Sequence, residues 1–239
     1  MTQVKIDIKR KRHGLRVLFE RLRIDLQEGQ FAVLVGPSGC GKTSLLNLIA
    51  GLDPQFEGEI AFASHNNRPR IGYVFQEPRL LPWRTVAENI RLAVPEDTDP
   101  KCIEHLMEQV GLSGVQQHYP EQLSLGMSRR VALVRAFAID PDLLLMDEPL
   151  VSLDTPTARR VRELMLNLWL DRPHTVLYVT HDMREAIELA DRLIFLSPAP
   201  CQMCGDVMIP IPRSERDPAT IEAFHRSLGE NFPELSGLL

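Results

Sequence analysis

Nowhere in the 239 residues is there an apolar run near the roughly 18–20 residues that crossing a bilayer requires. Any membrane role is therefore expected to come through a partner. A basic excess is missing too. Lys and Arg total 27 against 32 Asp and Glu, a net charge of −5, whereas a general nucleic-acid binder shows the opposite balance. The one short basic run, Lys9-Arg10-Lys11-Arg12, reads as a solvated strand end. No apolar stretch follows it, so the N-terminus does not read as a secretory signal, and the chain is expected to stay in the cytosol. Cysteines are few: Cys40, Cys102, Cys201 and Cys204. Cys201-Gln-Met-Cys204 has the spacing of half a zinc site, but without a second pair it reads as two ordinary surface or turn thiols. There is no internal repeat and no low-complexity segment. What remains is an ordinary globular composition, 44% hydrophobic and 25% charged.

The opening predicts strands at Val4–Ile8 and Leu15–Leu26. Phe31–Val35 is a short continuous apolar run, as expected of a strand buried on both faces. A glycine-rich turn and a helix over Ser44–Ala50 follow, then strands at Glu59–Ala63 and Ile71–Phe75. From Thr85 to Ile139 the pattern is helical, opening on the capping box Thr85-Val-Ala-Glu88, and Asp99-Pro100 reads as an N-cap with proline at the first helical position. Strand signals resume at Leu143–Met146, Thr175–Val179 and Leu193–Leu196, with helices starting near Pro156 and at a second capping box, Asp182-Met-Arg-Glu185. Alternating apolar strands and helices predict a parallel sheet with right-handed crossovers. The expected division is a core of 1–81 and 140–215, an inserted helical subdomain of 82–139, and a tail of 216–239 with a short helix after Asp217-Pro218.

Gly36-Pro37-Ser38-Gly39-Cys40-Gly41-Lys42-Thr43, followed by Ser44, fits the phosphate-binding loop G-x-x-x-x-G-K-[ST]. It leaves a buried strand and opens a helix, the context that gives the motif its meaning. Glycines let backbone N–H groups converge on phosphates, and the helix N-terminus adds its partial positive charge. Lys42 sets a point charge against the β- and γ-phosphates, and Thr43 offers its hydroxyl to Mg²⁺. Leu143-Leu-Leu-Met-Asp147-Glu148 is a buried strand ending in two carboxylates. Asp147 suits Mg²⁺, and Glu148 suits polarising an attacking water.

With these motifs in order the chain resembles the ABC ATPases over about residues 1–215. Gln76 in Tyr73-Val-Phe-Gln76 resembles the Q-loop glutamine. Leu123-Ser124-Leu125-Gly126-Met127 resembles the signature motif LSGGQ, Ser152-Leu153-Asp154 the D-loop, and Thr180-His181-Asp182 the switch histidine. The resemblance implies an α/β P-loop NTPase fold: a RecA-like parallel sheet core, an antiparallel β subdomain and an inserted α-helical subdomain. It implies two copies meeting head to tail around two ATP molecules. Each ATP would rest on one copy's residues 36–44 and beneath the other's Ser124, Leu125, Gly126, Met127 and Asp154. Lys42, Gln76, Glu148 and His181 would serve hydrolysis, and Thr43, Gln76 and Asp147 would hold Mg²⁺. The implied partners are an integral membrane permease and an external solute-binding protein, with no nucleic acid, and the implied place is the cytoplasmic face of the membrane.

Two positions depart from the family pattern. Leu125 and Met127 replace a glycine and a glutamine, and a left-handed backbone at Leu125 would cost about 1–2 kcal/mol. His13 stands where the family stacks an aromatic ring on adenine; it reads either as that platform or as a solvent-exposed loop histidine. Leu80-Leu81-Pro82-Trp83 is similar to ATPases of the nitrate, sulfonate and taurine importers. Pro82 and Trp83 would then face the permease, the alternative being that Trp83 packs inside the helical subdomain. An exporter or lipid-trafficking ATPase, a soluble ABC ATPase and a non-hydrolysing regulator are the other readings. Intact Glu148 and His181 argue against the last.

Overall fold

The computed structural model describes residues 2–63, 69–235 and 237–238. It divides into two compact units, Met1–Arg68 with Thr175–Leu239, and Pro69–His174.

In the first unit, β1 (Gln3–His13) pairs antiparallel with β2 (Arg16–Leu26) and, on its other side, with β4 (Glu57–Ala63). Val4, Ile6 and Ile8 of β1 and Leu22, Ile24 and Leu26 of β2 are buried. Their alternation with polar residues gives the sheet one core face and one wet face. β1 runs past the expected end at Ile8, and Lys11 corrects the reading of a solvated basic run. It is only 4% exposed, its Nζ pairing with Asp53 at 2.6 Å and donating to the Gln55 carbonyl at 2.7 Å.

The same unit carries parallel strands. β3 (Phe31–Val35) lies between β7 (Thr175–Val179) and β8 (Arg192–Leu196), and every residue of β3 and β7 is buried. β9 (Met203–Met208) adds antiparallel to β8. This strand was not anticipated, and the reading of two surface or turn thiols holds for Cys204 and fails for Cys201. Cys201 is buried and donates its N–H to the Leu18 carbonyl at 2.7 Å, while Cys204 lies exposed within β9. The helices are α1 (Lys42–Ile49), α6 (Met183–Leu189) and α7 (Pro218–Asn231), the last capped by the Asp217 carboxylate on the Thr220 N–H at 2.7 Å.

In the second unit, β5 (Ile71–Val74) runs parallel to β6 (Leu143–Asp147), with α2 (Val86–Arg91), α3 (Pro100–Gln109), α4 (Leu125–Phe137) and α5 (Thr155–Asp171). α4 approaches β5 so closely that a Cβ at Gly72 would fall 2.6 Å from the Ala136 carbonyl oxygen. The expected capping box is present in full: Thr85 Oγ1 accepts the Glu88 N–H at 3.3 Å, and Glu88 Oε2 accepts the Thr85 N–H at 2.8 Å. Asp99 caps α3 ahead of Pro100 as expected. The stretch read as helical from Thr85 to Ile139 holds three helices with intervening loops and one 3-10 turn at Pro120–Gln122. Pro95, Gly111, Gly114 and Pro120 fall in the breaks. Among the described residues no helix is long and apolar enough to cross a membrane.

Candidate active site

In each unit, neighbouring parallel strands end at the same edge, the place where α/β sheets present ligand-binding residues. In the first unit Leu34 of β3 pairs with Val179 of β7. The phosphate loop and the Thr180-His181-Asp182 segment therefore leave adjacent strands side by side. In the second, Val74 of β5 pairs with Met146 of β6, so Gln76 and the Asp147-Glu148 pair also emerge together.

The phosphate loop turns into α1 at Gly41, whose φ is 113°. A side chain there is excluded twice: by that dihedral, and by Phe19, whose Cζ lies 2.9 Å from where a Cβ would stand. Lys42 is 6% exposed, and its ammonium donates to the carbonyls of Gly36 at 2.7 Å and Pro37 at 3.2 Å. Cys40 is buried, and a hydrogen bond from the Cys201 thiol, helped by the Lys42 charge, holds its thiol below the usual range. His13 is exposed at the end of β1, opposite Arg16 in the hairpin. Arg16 Nη2 reaches the Gly39 carbonyl at 3.4 Å, so the hairpin end that carries His13 lies against the phosphate loop. Arg16 was not singled out from the sequence.

His181 is exposed between buried Thr180 and the helix cap Asp182. Here the expected capping box forms only by half. Asp182 Oδ1 accepts the N–H groups of Arg184 at 2.9 Å and Glu185 at 3.2 Å. The Glu185 carboxylate does not return to the Asp182 N–H; it accepts the hydroxyls of Tyr178 and Thr180. A short-range pattern cannot reveal those partners, since a glutamate three residues after a cap looks the same in either arrangement.

In the second unit Asp147 is 4% exposed at the end of β6. Glu148 follows with φ 43° and Ser152 with φ 66°. Non-glycine residues in the left-handed region cost about 1–3 kcal/mol each and gather at functional sites. Leu125 is the first residue of α4 and is not left-handed, so the strain considered for it does not arise. Ser124 caps α4 through the Met127 N–H at 3.2 Å. Asp154 caps α5 through the Thr157 N–H at 3.1 Å, and the Thr157 hydroxyl and N–H hold its carboxyl below the usual carboxylate range. Ser124, Leu125, Gly126, Asp154 and Arg160 line one cavity of about 380 Å³. The signature segment and the D-loop segment thus share a concave surface.

Arg129, to which the sequence assigned no role of its own, is 6% exposed. One Nη donates to the Gln76 carbonyl and the other to the Val151 carbonyl at 2.7 Å. A single guanidinium on α4 thereby ties the segment after β5 to the segment between Glu148 and Asp154. Nothing in its sequence context separates it from Arg130 beside it, which bonds to carbonyls of Val110 at 2.9 Å and Gly111 at 3.3 Å.

Trp83 is 69% exposed, which answers the alternative that it packs inside the helical subdomain. Its segment is fixed by buried Asn89, whose amide donates to the carbonyls of Leu81, Arg84 and Thr85 and accepts the Leu81 N–H at 2.7 Å.

Known proteins resemble this chain along most of its length. The family described as ABC transporter matches residues 19–151. The chain is 38% identical over 233 residues to the aliphatic sulfonates import ATP-binding protein SsuB 2 of Burkholderia cenocepacia (strain HI2424), spanning 92% of this chain and 86% of that protein. It is 42% identical over 207 residues to the aliphatic sulfonates import ATP-binding protein SsuB of Zymomonas mobilis, spanning 85% and 86%. Among solved structures, the dimeric post-hydrolysis state of the ATP-binding cassette MJ0796 bound to ADP and Pi is similar at a TM-score of 0.73 and 28% identity. It covers 89% of this chain and 100% of that one.

Proposed function

The chain belongs to the ABC transporter family, and from that premise we propose that it powers import of sulfonates or related organic anions by hydrolysing ATP beneath a separate permease. It is an ATP-binding, ATP-hydrolysing transport subunit of the P-loop fold. The solute class rests on the relatives named for aliphatic sulfonate import and on the Leu80-Leu81-Pro82-Trp83 segment. Exposed Trp83 offers a large aromatic surface for the permease, of the kind that anchors interfaces. An external solute-binding protein completes the proposed importer, which places this chain at the cytoplasmic face of the membrane.

The observation that carries the catalytic proposal is the way Asp147 and Glu148 leave buried β6. Asp147 is held in the interior, and Glu148 is turned by its left-handed backbone. Lys42 neutralises the β- and γ-phosphates while backbone N–H groups of residues 36–44 and the start of α1 cradle them. Asp147, Thr43 and Gln76 supply a carboxylate, a hydroxyl and an amide oxygen, hard donors of the kind Mg²⁺ takes. Held by these residues, the ion would supply positive charge against the negative charge that develops on the phosphates. Glu148 accepts a proton from the attacking water, and His181 positions the γ-phosphate end. His13 lies under the adenine. Ser124, Leu125, Gly126, Met127 and Asp154 close over the nucleotide held by a second copy, so hydrolysis loosens the pair.

Glu148→Gln tests this reading. Turnover should fall roughly 10²–10⁴-fold, the contribution of a general base, while ATP binding persists and an ATP-bound dimer accumulates on size-exclusion chromatography. Near-normal turnover would place the base elsewhere.

A further inference from the structure

Glu185 is a buried carboxylate to which the proposed chemistry gives no task. It sits at the third position of α6 with 7% exposure. Helix capping does not explain it, because Asp182 already accepts the N–H groups of residues 184 and 185. Its two oxygens are divided instead. Oε1 accepts the hydroxyl of fully buried Tyr178, and Oε2 accepts the hydroxyl of Thr180 at 2.8 Å. Thr180 Oγ1, while donating to Glu185, accepts the Asp182 N–H at 3.1 Å. The chain of bonds therefore grips the residues on both sides of His181, Thr180 through its hydroxyl and Asp182 through its main chain. His181 itself stays exposed.

We infer that Glu185 is a positioning residue for ATP hydrolysis: through Tyr178, Thr180 and Asp182 it fixes the main chain at His181, so that the imidazole meets the γ-phosphate in one orientation. The inference rests on the role proposed above for His181. A carboxylate suits the task because it is acceptor-only and takes both hydroxyls at once. It also suits the location, since a buried charge persists only where hydrogen bonds satisfy it, and here the bonds belong to the segment that needs fixing. Orientation errors of small size at a reacting centre are costly in rate and nearly silent in binding.

Glu185→Gln keeps the shape and turns one acceptor into a donor, so that either Tyr178 or Thr180 can no longer donate its hydroxyl proton there. In the purified full-length chain, kcat should fall roughly tenfold, the worth of a hydrogen bond to a charged group, with KM for ATP nearly unchanged. Introduced into His181→Ala, the same substitution should lower kcat no further. A purely structural residue behaves otherwise, lowering kcat by the same factor in both backgrounds. That result, or unchanged kcat in Glu185→Gln alone, overturns the inference. Thr180 provides the second route if Glu185→Gln does not fold: Thr180→Ser should retain turnover and Thr180→Val should lose it, and equal turnover in the two overturns the inference as well. His181→Ala measured alone separates the two levels. If its kcat matches the unsubstituted chain, the histidine's role falls and takes Glu185's with it; if its kcat is low, only the Glu185 comparison is at stake.

Discussion

The two units secure their functional segments with opposite charges. In the first, the buried carboxylate of Glu185 collects hydroxyls from Tyr178 and Thr180, all within eight positions of sequence. In the second, the buried guanidinium of Arg129 donates to the carbonyls of Gln76 and Val151, which lie on either side of it and far apart in sequence. The difference follows from chemistry. A short acceptor-only side chain serves donors that the local chain brings to it, whereas a long planar fork with five donors joins segments that never meet by themselves. Local order around a strand end is thus an anion's task here, and long-range order between loops is a cation's.

The first unit also holds buried cations on carbonyls, Lys11 on that of Gln55 and Lys42 on those of Gly36 and Pro37, and substituting Lys42 is the sharpest test of that division. Lys42→Ala removes charge-assisted bonds to phosphate worth about 1.5–3 kcal/mol, so ATP affinity measured by equilibrium titration should fall roughly 10–100-fold. Unaltered affinity would mean that Lys42, like Arg129, serves only its own carbonyls. Arg129→Gln should show the contrasting phenotype. Turnover should drop roughly tenfold, with ATP affinity within about twofold and stability in urea reduced by about 2 kcal/mol. An affinity loss matching that of Lys42→Ala would abolish the distinction between binding and ordering. Arg129→Lys should recover little, because one ammonium cannot span both carbonyls.

The smallest effect concerns acid, and it belongs to the second unit. His174 is 3% exposed, and burial lowers its pKa to about 4 against the opposing pull of Asp140. The unfolded chain takes up that proton near 6.5, so the unfolded state binds more protons between about pH 6.5 and 4. Stability contributed by the neutral ring is therefore complete above that window and lost as pH falls through it. The loss is on the order of 1–2 kcal/mol by pH 5. His174→Gln should remove this part of the difference between urea midpoints at pH 7 and pH 5. An identical pH dependence in the variant would acquit the histidine.

Features governed by neighbours in sequence were legible in advance. The Thr85–Glu88 capping box, the Asp99-Pro100 start, the buried runs of β3 and β7 and the glycine-rich turn into α1 all follow from contacts a few residues long. Features decided by distant partners were not. Lys11 lies in a basic run yet is buried, because Asp53 and the Gln55 carbonyl receive it from 42 and 44 positions away. Glu185 occupies the right place for a capping box and answers to Tyr178 instead. β9 carries the mixed sequence Met203–Met208, with neither a buried run nor a clean apolar alternation, and forms because β8 offers an edge. For the site, residue types and order pointed to the phosphate loop, the paired carboxylates and the signature serine. The left-handed backbones of Glu148 and Ser152 and the strut formed by Arg129 required the tertiary structure.

The contrast between the two indoles gives the second unit a built-in optical readout. Trp83 stands in solvent, while Trp169 is 5% exposed with its Nε1 bonded to the His174 carbonyl at 2.8 Å. Emission from the protein is accordingly the sum of a long-wavelength component open to aqueous quenchers and a short-wavelength component shielded from them. Whatever covers the Leu80–Trp83 segment dims or shifts the first, and loss of the packing around α5 alters the second. Docking and unfolding are thereby separated in one spectrum without an added label.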